Sequence, residues 1–253
     1  MLTPQISSGT LLTSDNCRIH FDHYQAGHPK AVVIAHGFFN SKSACLLKEL
    51  ADEMSKEYDV VIFDFRGHGR SHGLFYWTSK EDKDLEAVLR FARGRYACHG
   101  VIGFSLGAAT SITTAAEVGL MDSLIAVSPP AAFEKIEYRF WELDVENDIV
   151  YNLWGEGKTG KGVRPGPFWM AKTRPEDVIG RLKIPVLFIH GDKDWLITPK
   201  HSEILYGKAA TKKKLFIIPN GPHAEYLIRK NKETTLRQIK GWFRETLKNT
   251  QGK

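Results

Sequence analysis

The sequence is poor in cysteine and contains no long apolar run. Its three cysteines, Cys17, Cys45 and Cys98, are too few and too scattered for a disulfide framework or a zinc-binding spacing, so we expect a reducing, cytoplasmic setting. No stretch approaches the roughly 18 consecutive apolar residues of a membrane span. The N-terminal segment MLTPQISSGT also lacks the basic start and apolar core of a secretory leader. We therefore expect neither a membrane span nor such a leader.

Runs of charge of one sign are also scarce. The 253 residues include 35 Lys and Arg against 29 Asp and Glu, a formal net charge of +6, but acids and bases alternate along almost the whole chain. Only Lys212 to Lys214 form a purely basic run, and it lacks the extent of the stripe or tail that binds nucleic acid. We therefore expect no nucleic-acid partner. With 42% hydrophobic residues, the chain is long enough to bury a substantial core in one domain.

What the sequence does contain is an alternation of short apolar runs with longer segments of helical periodicity. This pattern is typical of a parallel sheet covered by helices, and runs of Val, Ile and Phe predict strands that are buried on both faces. We predict six such strands, at 31–35, 60–65, 100–104, 124–128, 185–190 and 215–219. Two further segments, 10–13 and 18–24, flank the turn-like residues 14–16 and predict an antiparallel hairpin at one sheet edge.

Two segments show the clearest helical periodicity. Between residues 85 and 92, the apolar side chains fall on one face of a helix that Ser79 is placed to cap. Between residues 236 and 247, apolar residues recur every three or four positions in a basic background. This second pattern predicts a final helix that packs a single apolar stripe against the sheet.

One region, residues 131–180, breaks the alternation because it contains no strong strand. It has a Gly-rich centre, GEGKTGKG, and many aromatic residues. These aromatic residues are Phe133, Tyr138, Phe140, Trp141, Tyr151, Trp154, Phe168 and Trp169. An insertion of this length is typical of a functional lid, although its aromatics would serve equally to pack it onto the body. We see no repeat and no second apolar core, and expect one domain, 1–253, with a cap insertion at about 131–180.

A G-x-S-x-G pattern spans Gly103–Gly107, where a predicted strand ends and an Ala-rich helical segment begins. The bare pattern is weak evidence, but the strand-turn-helix setting is the one that a nucleophilic serine requires. The tight turn strains the serine backbone, and the glycines let strand and helix approach closely. Ser105 is therefore the candidate nucleophile. The amide of Leu106, at the helix N-terminus, is placed to donate to an oxyanion.

A serine nucleophile needs a base, and the base needs an orienting acid. Asp192 and Asp194 stand in a turn that follows the predicted strand 185–190, and His223 stands in a turn that follows the strand 215–219. The carboxyl ends of parallel strands share one edge of the sheet, where open α/β sheets bind their ligands. The chain therefore supplies a serine, an acid and a histidine at one edge, with two aspartates competing for the acid role.

With these motifs in order, the chain resembles the α/β-hydrolase superfamily. The markers are His36-Gly37-Phe38, the segment 64–71 (DFRGHGRS), the turn 103–107, the acid turn 191–194 and Gly221-Pro222-His223. The resemblance implies the α/β-hydrolase fold, with a mostly parallel eight-stranded sheet, helices on both faces and a short cap insertion. It assigns the nucleophile to Ser105, the base to His223 and the orienting acid to Asp194. The amides of Phe38 and Leu106 would form the oxyanion hole.

Within the superfamily, the chain is similar to the small-capped carboxylesterases, a branch with bacterial lysophospholipases, cinnamoyl and feruloyl esterases and serine aminopeptidase-like proteins. The branch implies a small-molecule ester as substrate and an acyl-enzyme mechanism that needs no metal and no cofactor. An acyl or aryl group requires an apolar, water-poor cavity beside the serine. The pocket residues that we predict are Phe38, Phe104, Trp141, Phe168 and Trp169. A thioesterase, an acyltransferase, a peptidase and a non-catalytic ligand-binding protein are the alternatives.

Other polar residues near these motifs have a structural interpretation. Asp64 ends a predicted strand but precedes the serine in the chain, and we expect Asp64 and Arg66 to brace their loop by hydrogen bonds. His68 and His72 lie in a Gly-rich loop without a carboxylate or cysteine at ligand spacing, which argues against a metal site. We expect His190, which begins the acid turn, to be a packed structural residue.

Overall fold

The structure is a computed structural model that describes residues 3–139, 141, 143, 145 and 162–248. Within these residues, eight strands form one sheet. The strands are β1 (Gln5–Leu12), β2 (Arg18–Gln25), β3 (Lys30–Ala35), β4 (Asp59–Phe63), β5 (Cys98–Phe104), β6 (Ser123–Val127), β7 (Val186–Gly191) and β8 (Lys213–Ile218). Their spatial order is β1-β2-β4-β3-β5-β6-β7-β8.

The predicted hairpin and the predicted parallel sheet are both confirmed. β1 and β2 pair antiparallel from Gln5, opposite Gln25, to Leu12, opposite Arg18. β2 also pairs antiparallel with β4, whereas the other neighbouring strands pair in parallel. The carboxyl ends of β3 to β8 therefore share one edge of the sheet, and the predicted site motifs follow five of these strands.

Helices cover both faces of the sheet. They are α1 (Cys45–Met54), α2 (Glu81–Arg93), α3 (Leu106–Glu117), α4 (Pro175–Val178), α5 (Lys200–Lys208), α6 (Tyr226–Lys230) and α7 (Lys232–Thr246). Along β3, Val32 and Ile34 pack into one core cluster and Val33 and Ala35 into a second, because successive side chains of a strand face opposite sides. Burying each of these Val or Ile side chains contributes roughly 1.5–3 kcal/mol. In the described part of the chain, no helix has the length and apolar character needed to cross a membrane.

The start of α2 differs from the prediction that Ser79 caps it. Lys80 occupies the N-cap position, and the buried Ser79 hydroxyl has no hydrogen-bond partner. The fully buried Glu81 carboxylate instead accepts the amide of Tyr76 at 2.7 Å and the amide of Lys80 at 3.4 Å. The first residue of the helix therefore anchors the preceding turn, in which Trp77 has a φ of +57°.

The insertion at 131–180 is described mainly near its two ends, and its returning segment is fastened to the body. Arg164 pairs with the loop after β4, donating its amide to Gly67 at 2.7 Å and accepting that of Phe75 at 2.9 Å. Gly162 donates to the carbonyl of Phe39 at 3.2 Å. These bonds place the segment beside the loop that follows β3. The predictions for Phe140, Tyr151, Trp154 and most of the Gly-rich centre lie outside the described residues.

Candidate active site

Ser105 lies in the turn between β5 and α3, in a backbone conformation that side chains rarely adopt. Its φ is +49° and its ψ is −112°. A Cβ on Gly103 would lie 2.7 Å from the Ala108 Cα, and a Cβ on Gly107 would lie 2.3 Å from the carbonyl oxygen of Ala35. The two glycines of the pattern therefore allow α3 to start directly against β3 and β5, and this close approach forces the sharp turn at the serine.

Asp194, and not Asp192, contacts the candidate base. The Oδ2 atom of Asp194 lies 2.7 Å from Nδ1 of His223, and the Asp194 side chain is fully buried. Its other oxygen, Oδ1, accepts the amides of Leu196 at 3.1 Å and Ile197 at 2.8 Å. The carboxylate is thus fixed by its own turn and aimed at the imidazole. Such a contact holds a histidine with Nδ1 protonated and leaves Nε2 to act as a base.

A second histidine, which the sequence analysis treats only as a packed residue, also contacts the acid. Nε2 of His190 lies 3.1 Å from Asp194 Oδ2 and 2.7 Å from the Ile197 carbonyl, and its Nδ1 lies 2.7 Å from the Ser202 hydroxyl. Because a carbonyl only accepts, Nε2 carries the proton and donates. Burial acts to raise the pKa of Asp194, but the neighbouring His223 and the hydrogen bond from His190 hold it well below its usual range.

The turn after β6 brings the serine and the histidine turns together. The amide of Ser105 donates to the Val127 carbonyl at 2.8 Å. The next residue, Ser128, accepts the amide of Ala224 on its hydroxyl at 3.0 Å. Ser105 and the residue after His223 are therefore held by two consecutive residues, the last of β6 and the first after it. No pattern in the sequence points to Ser128, because its role depends on β6 lying between β5 and β7 in the sheet.

The two predicted oxyanion donors lie on neighbouring pieces of backbone. Phe38 belongs to a tight turn that closes with a hydrogen bond of 3.4 Å from the Asn40 amide to the Gly37 carbonyl. A Cβ on Gly37 would lie only 3.5 Å from the carbonyl of Phe104, which directly precedes the serine. Leu106 is the first residue of α3. The turn of Phe38 therefore packs against the end of β5, where α3 begins.

Asp64 and Arg66 form the bracing contacts that the sequence analysis predicts. The fully buried Asp64 accepts the amides of Lys42 at 2.7 Å and Arg70 at 2.8 Å, which ties the loops after β3 and β4 together. The guanidinium of Arg66 donates to the buried carboxylate of Asp84 through Nε at 2.8 Å and Nη2 at 2.7 Å. Neither residue contacts the Asp194–His223 pair through these bonds.

The predicted pocket residues divide into exposed and buried ones. Phe38, Trp141, Phe168 and Trp169 are all exposed, and the rings of the last two lie 5.4 Å apart. Phe104 differs, because its side chain is fully buried in the core cluster that contains Ile102. Alternate residues of β5 face the same side of the sheet, so the Phe104 side chain packs under the helices instead of lining an exposed cavity.

Two aromatic residues that the sequence analysis missed lie beside Phe38. The ring of Trp77 stacks on that of Phe38 at 5.4 Å and 25°, and Phe75 lies 5.5 Å from it. The indole of Trp77 also donates to the carbonyl of Gly166 at 3.3 Å, which connects this group to the returning segment of the insertion. We call Phe38, Phe75 and Trp77 the aromatic wall. A run of aromatics at 75–77 was the available signal in the sequence.

His68, for which the sequence argues against a role as a metal ligand, is fully buried against this wall. Its ring lies 5.0 Å from that of Phe75, and its Nδ1 donates to the Arg66 carbonyl at 3.0 Å. Burial lowers the pKa of His68 to about 3, so the side chain is neutral at pH 7. Among the side chains that the structure describes, no three His, Cys, Asp or Glu residues are grouped to hold a metal ion.

Comparison with known proteins identifies the family. The sequence model of the alpha/beta hydrolase family matches residues 32–228, and the chain belongs to this family. The uncharacterized protein YqkD of Bacillus subtilis is 30% identical over 216 residues, which cover 78% of this chain. The match covers 65% of YqkD, so the chain spans less than two thirds of that relative's length.

Solved structures share the fold at lower identity. The esterase Pf2001 of Pyrococcus furiosus superposes with a TM-score of 0.79 at 22% identity, covering 97% of this chain and 92% of that one. The esterase RhEst1 of Rhodococcus sp. superposes with a TM-score of 0.77 at 15% identity, covering 96% and 100%. The predicted α/β-hydrolase fold is therefore confirmed.

Proposed function

We propose that the protein is a cytoplasmic serine hydrolase that cleaves small to medium acyl or aryl carboxylic esters through an acyl-enzyme intermediate. The observations that carry the proposal are the buried Asp194–His223 contact of 2.7 Å and the φ of +49° at Ser105. The end of β6 supports both, since Val127 binds the backbone of Ser105 and Ser128 that of Ala224. The esterases among the structural neighbours favour the same chemistry.

The reaction has two halves. Nε2 of His223 takes the proton of Ser105, and the serine oxygen attacks the ester carbonyl while Asp194 stabilises the imidazolium. The resulting oxyanion accepts hydrogen bonds from the amides of Phe38 and Leu106. The tetrahedral intermediate collapses, the carbon–oxygen bond of the ester breaks, and the alcohol leaves with the proton from His223. Water, deprotonated by the same histidine, then attacks the acyl-enzyme and releases the carboxylic acid.

The aromatic wall supports the choice of an acyl or aryl ester. Phe38 supplies an oxyanion donor from its backbone, and its ring stacks on Trp77, so apolar surface begins directly beside the donor. An apolar substituent on the carbonyl would displace water from this surface and would gain roughly 25 cal/mol per Å² buried. A charged substituent would lose its hydration without a partner.

The proposal is tested by hydrolysis of p-nitrophenyl esters with two to sixteen acyl carbons, with the Ser105→Ala variant measured alongside. We expect turnover that depends on Ser105 and is greatest for short or medium chains. A maximum at long chains would change the substrate class to lipids. No turnover above that of Ser105→Ala on any ester would contradict the proposal and favour thioester, amide or acyl-transfer chemistry, or binding alone.

A further inference from the structure

The oxyanion turn, defined as residues Gly37–Asn40, is strained and weakly closed. Phe39, at its third position, has a φ of +63°, a strained conformation for a residue with a bulky side chain. The turn closes through a single backbone hydrogen bond of 3.4 Å, near the upper limit for such a bond. A strained turn persists only where its surroundings hold it, so support for the Phe38 amide must come from neighbouring elements.

Glu225 supplies such support. Its carboxylate accepts a hydrogen bond from Nδ2 of Asn40, and both side chains are almost completely buried, with exposures of 4% and 2%. The carboxylate lies directly over the turn, because a Cβ on Gly37 would meet its two oxygens at 3.1 and 3.3 Å. Burying a carboxylate costs free energy unless hydrogen bonds compensate. The Asn40 amide provides such a bond, and the resulting contact fixes the end of the oxyanion turn.

Glu225 also belongs to the turn of the catalytic base. It stands two residues after His223, and the backbone between them is fixed by a bond of 3.1 Å from the Tyr226 amide to the His223 carbonyl. The carbonyl of Glu225 in turn accepts the amide of Ile228 at 3.0 Å. A single side-chain hydrogen bond therefore joins the base turn to the oxyanion turn across 185 residues of sequence.

We infer that Glu225 is a positioning residue that acts through Asn40 to hold the Phe38 amide where the oxyanion forms, and this inference rests on the function proposed above. An oxyanion donor stabilises charge that develops only in the transition state, so its displacement lowers kcat and leaves KM nearly unchanged. Complete loss of one such donor costs about 10²–10³ in kcat. Because the donor would be displaced and not removed, we expect a loss of about 10- to 100-fold.

The experiment compares Glu225→Ala, Asn40→Ala and Glu225→Gln on a p-nitrophenyl ester. Glu225→Ala and Asn40→Ala should each lower kcat about 10- to 100-fold with KM within about twofold, and the double variant should be no worse than either single one. Affinity for a trifluoromethyl ketone, which forms a tetrahedral oxyanion on the serine, should fall in proportion to kcat. Glu225→Gln should restore most of the rate, because its amide oxygen still accepts from Asn40.

Glu176→Ala is the matched control, since Glu176 is also a buried glutamate but pairs with Lys135 and Lys208. It should lower thermal stability without changing kcat. Thermal unfolding of each variant separates loss of fold from loss of positioning, and Asn40→Ala carries the test if Glu225→Ala does not fold.

Several results would overturn the inference. A wild-type rate in Glu225→Ala, additive losses in the double variant, or a Glu225→Gln variant as slow as Glu225→Ala would each do so. The last result would mean that the negative charge, and not the bond to Asn40, is what matters. An absence of ester turnover in the wild-type protein, together with no labelling of Ser105 by a fluorophosphonate, would instead overturn the proposed function and the inference with it.

Discussion

The carboxyl and amino ends of the parallel strands both bury polar side chains, but they use them differently. At the carboxyl ends, the backbone itself is distorted. Eight described residues other than glycine have a positive φ, and five of them lie in the turns after β3, β5, β6 and β8. These five are Phe39, Ser105, Ser128, Asn220 and Ala224. Strain that recurs at several neighbouring turns is typical of functional sites, where the surrounding structure holds it in place.

At the amino ends, buried polar groups anchor loops in which no described residue other than glycine has a positive φ. Asp59, the first residue of β4, accepts the amides of Ala26 at 2.9 Å and His28 at 3.0 Å, and the hydroxyl of Tyr96 at 2.7 Å. The Tyr96 hydroxyl also lies 2.7 Å from Nε2 of His23. These bonds satisfy donors and acceptors that folding would otherwise leave unpaired. Under the function proposed above, the carboxyl end carries the chemistry and the amino end contributes stability.

The largest effect is expected when a serine is replaced at each end of the strands and the activities of the two variants are compared. Ser105→Ala, at the carboxyl end, should lower kcat by at least about 10³-fold, because the nucleophile is removed. Ser123→Ala, at the amino end, removes a hydroxyl that bonds to Thr246 at 2.8 Å and should leave kcat unchanged. Steady-state kinetics and circular dichroism of both variants are the measurements. Equal activity of the two variants would contradict the assignment of the chemistry to the carboxyl end.

A smaller effect concerns stability and pH. Burial lowers the pKa of His99, at the amino end, to about 4 and that of His68 to about 3. The unfolded chain takes up protons on these histidines below about pH 6.5, whereas the folded chain does not, so their contribution to the free energy of unfolding falls as the pH falls. Each histidine contributes about 1.4 kcal/mol per pH unit in this range, or about 2 kcal/mol between pH 6.5 and 5.

Urea unfolding at pH 7 and pH 5 measures this change, and His99→Gln should reduce it by the contribution of one histidine. His99→Gln should leave kcat at pH 7 unchanged, because His99 lies at the amino end. A change between pH 7 and 5 that is the same in His99→Gln as in the wild type would show that the folded protein also binds the His99 proton.

A tenfold loss of kcat is expected from replacing His190, the second histidine that contacts Asp194. His190→Ala removes a donor from Asp194 Oδ2 and should lower kcat about tenfold, because the carboxylate then orients His223 less well. His99→Ala is the matched control, since it also removes a fully buried histidine. Kinetics of both variants at pH 7.5 test the prediction. An equal loss in both would mean that His190 contributes to stability alone.

The last effect concerns stability alone and is expected from Tyr96→Phe. Removing its hydroxyl leaves Asp59 and His23 each without one hydrogen-bond partner and should lower the free energy of unfolding by about 1–3 kcal/mol. The kinetic constants should not change, and urea unfolding with ester kinetics checks both statements. A loss of turnover without a loss of stability would contradict the division between the two ends.

The fold and the residues proposed for the triad follow from local patterns in the sequence. The strands β3 to β7, which are buried on both faces, read as unbroken apolar runs, and Asp194 follows shortly after one of them, β7. The strand before His223, β8, lies at the sheet edge and is only partly buried, which differs from the prediction for 215–219. The oxyanion turn and the Ser105 turn carry their own glycines, so their geometry is also encoded locally.

The remaining contacts depend on which elements become neighbours in three dimensions. Ser128 matters because β6 lies beside β5, and Glu225 matters because α6 follows His223 next to the turn of Asn40. Whether the Phe104 side chain points into the core or toward the site depends on the register of β5 in the sheet. Residue spacing in the sequence does not predict which elements become neighbours. The start of α2 is a further example, since the buried Glu81 carboxylate replaces the expected Ser79 cap.

The most direct test of the account is the reaction of the protein with a fluorophosphonate, followed by intact mass and peptide mapping. A fluorophosphonate phosphonylates only a serine that an adjacent base activates. The account predicts one adduct on Ser105, no adduct in Ser105→Ala and a much slower reaction in His223→Ala. An unmodified wild-type protein, or an adduct that persists in Ser105→Ala, would contradict the assignment of Ser105 as the nucleophile.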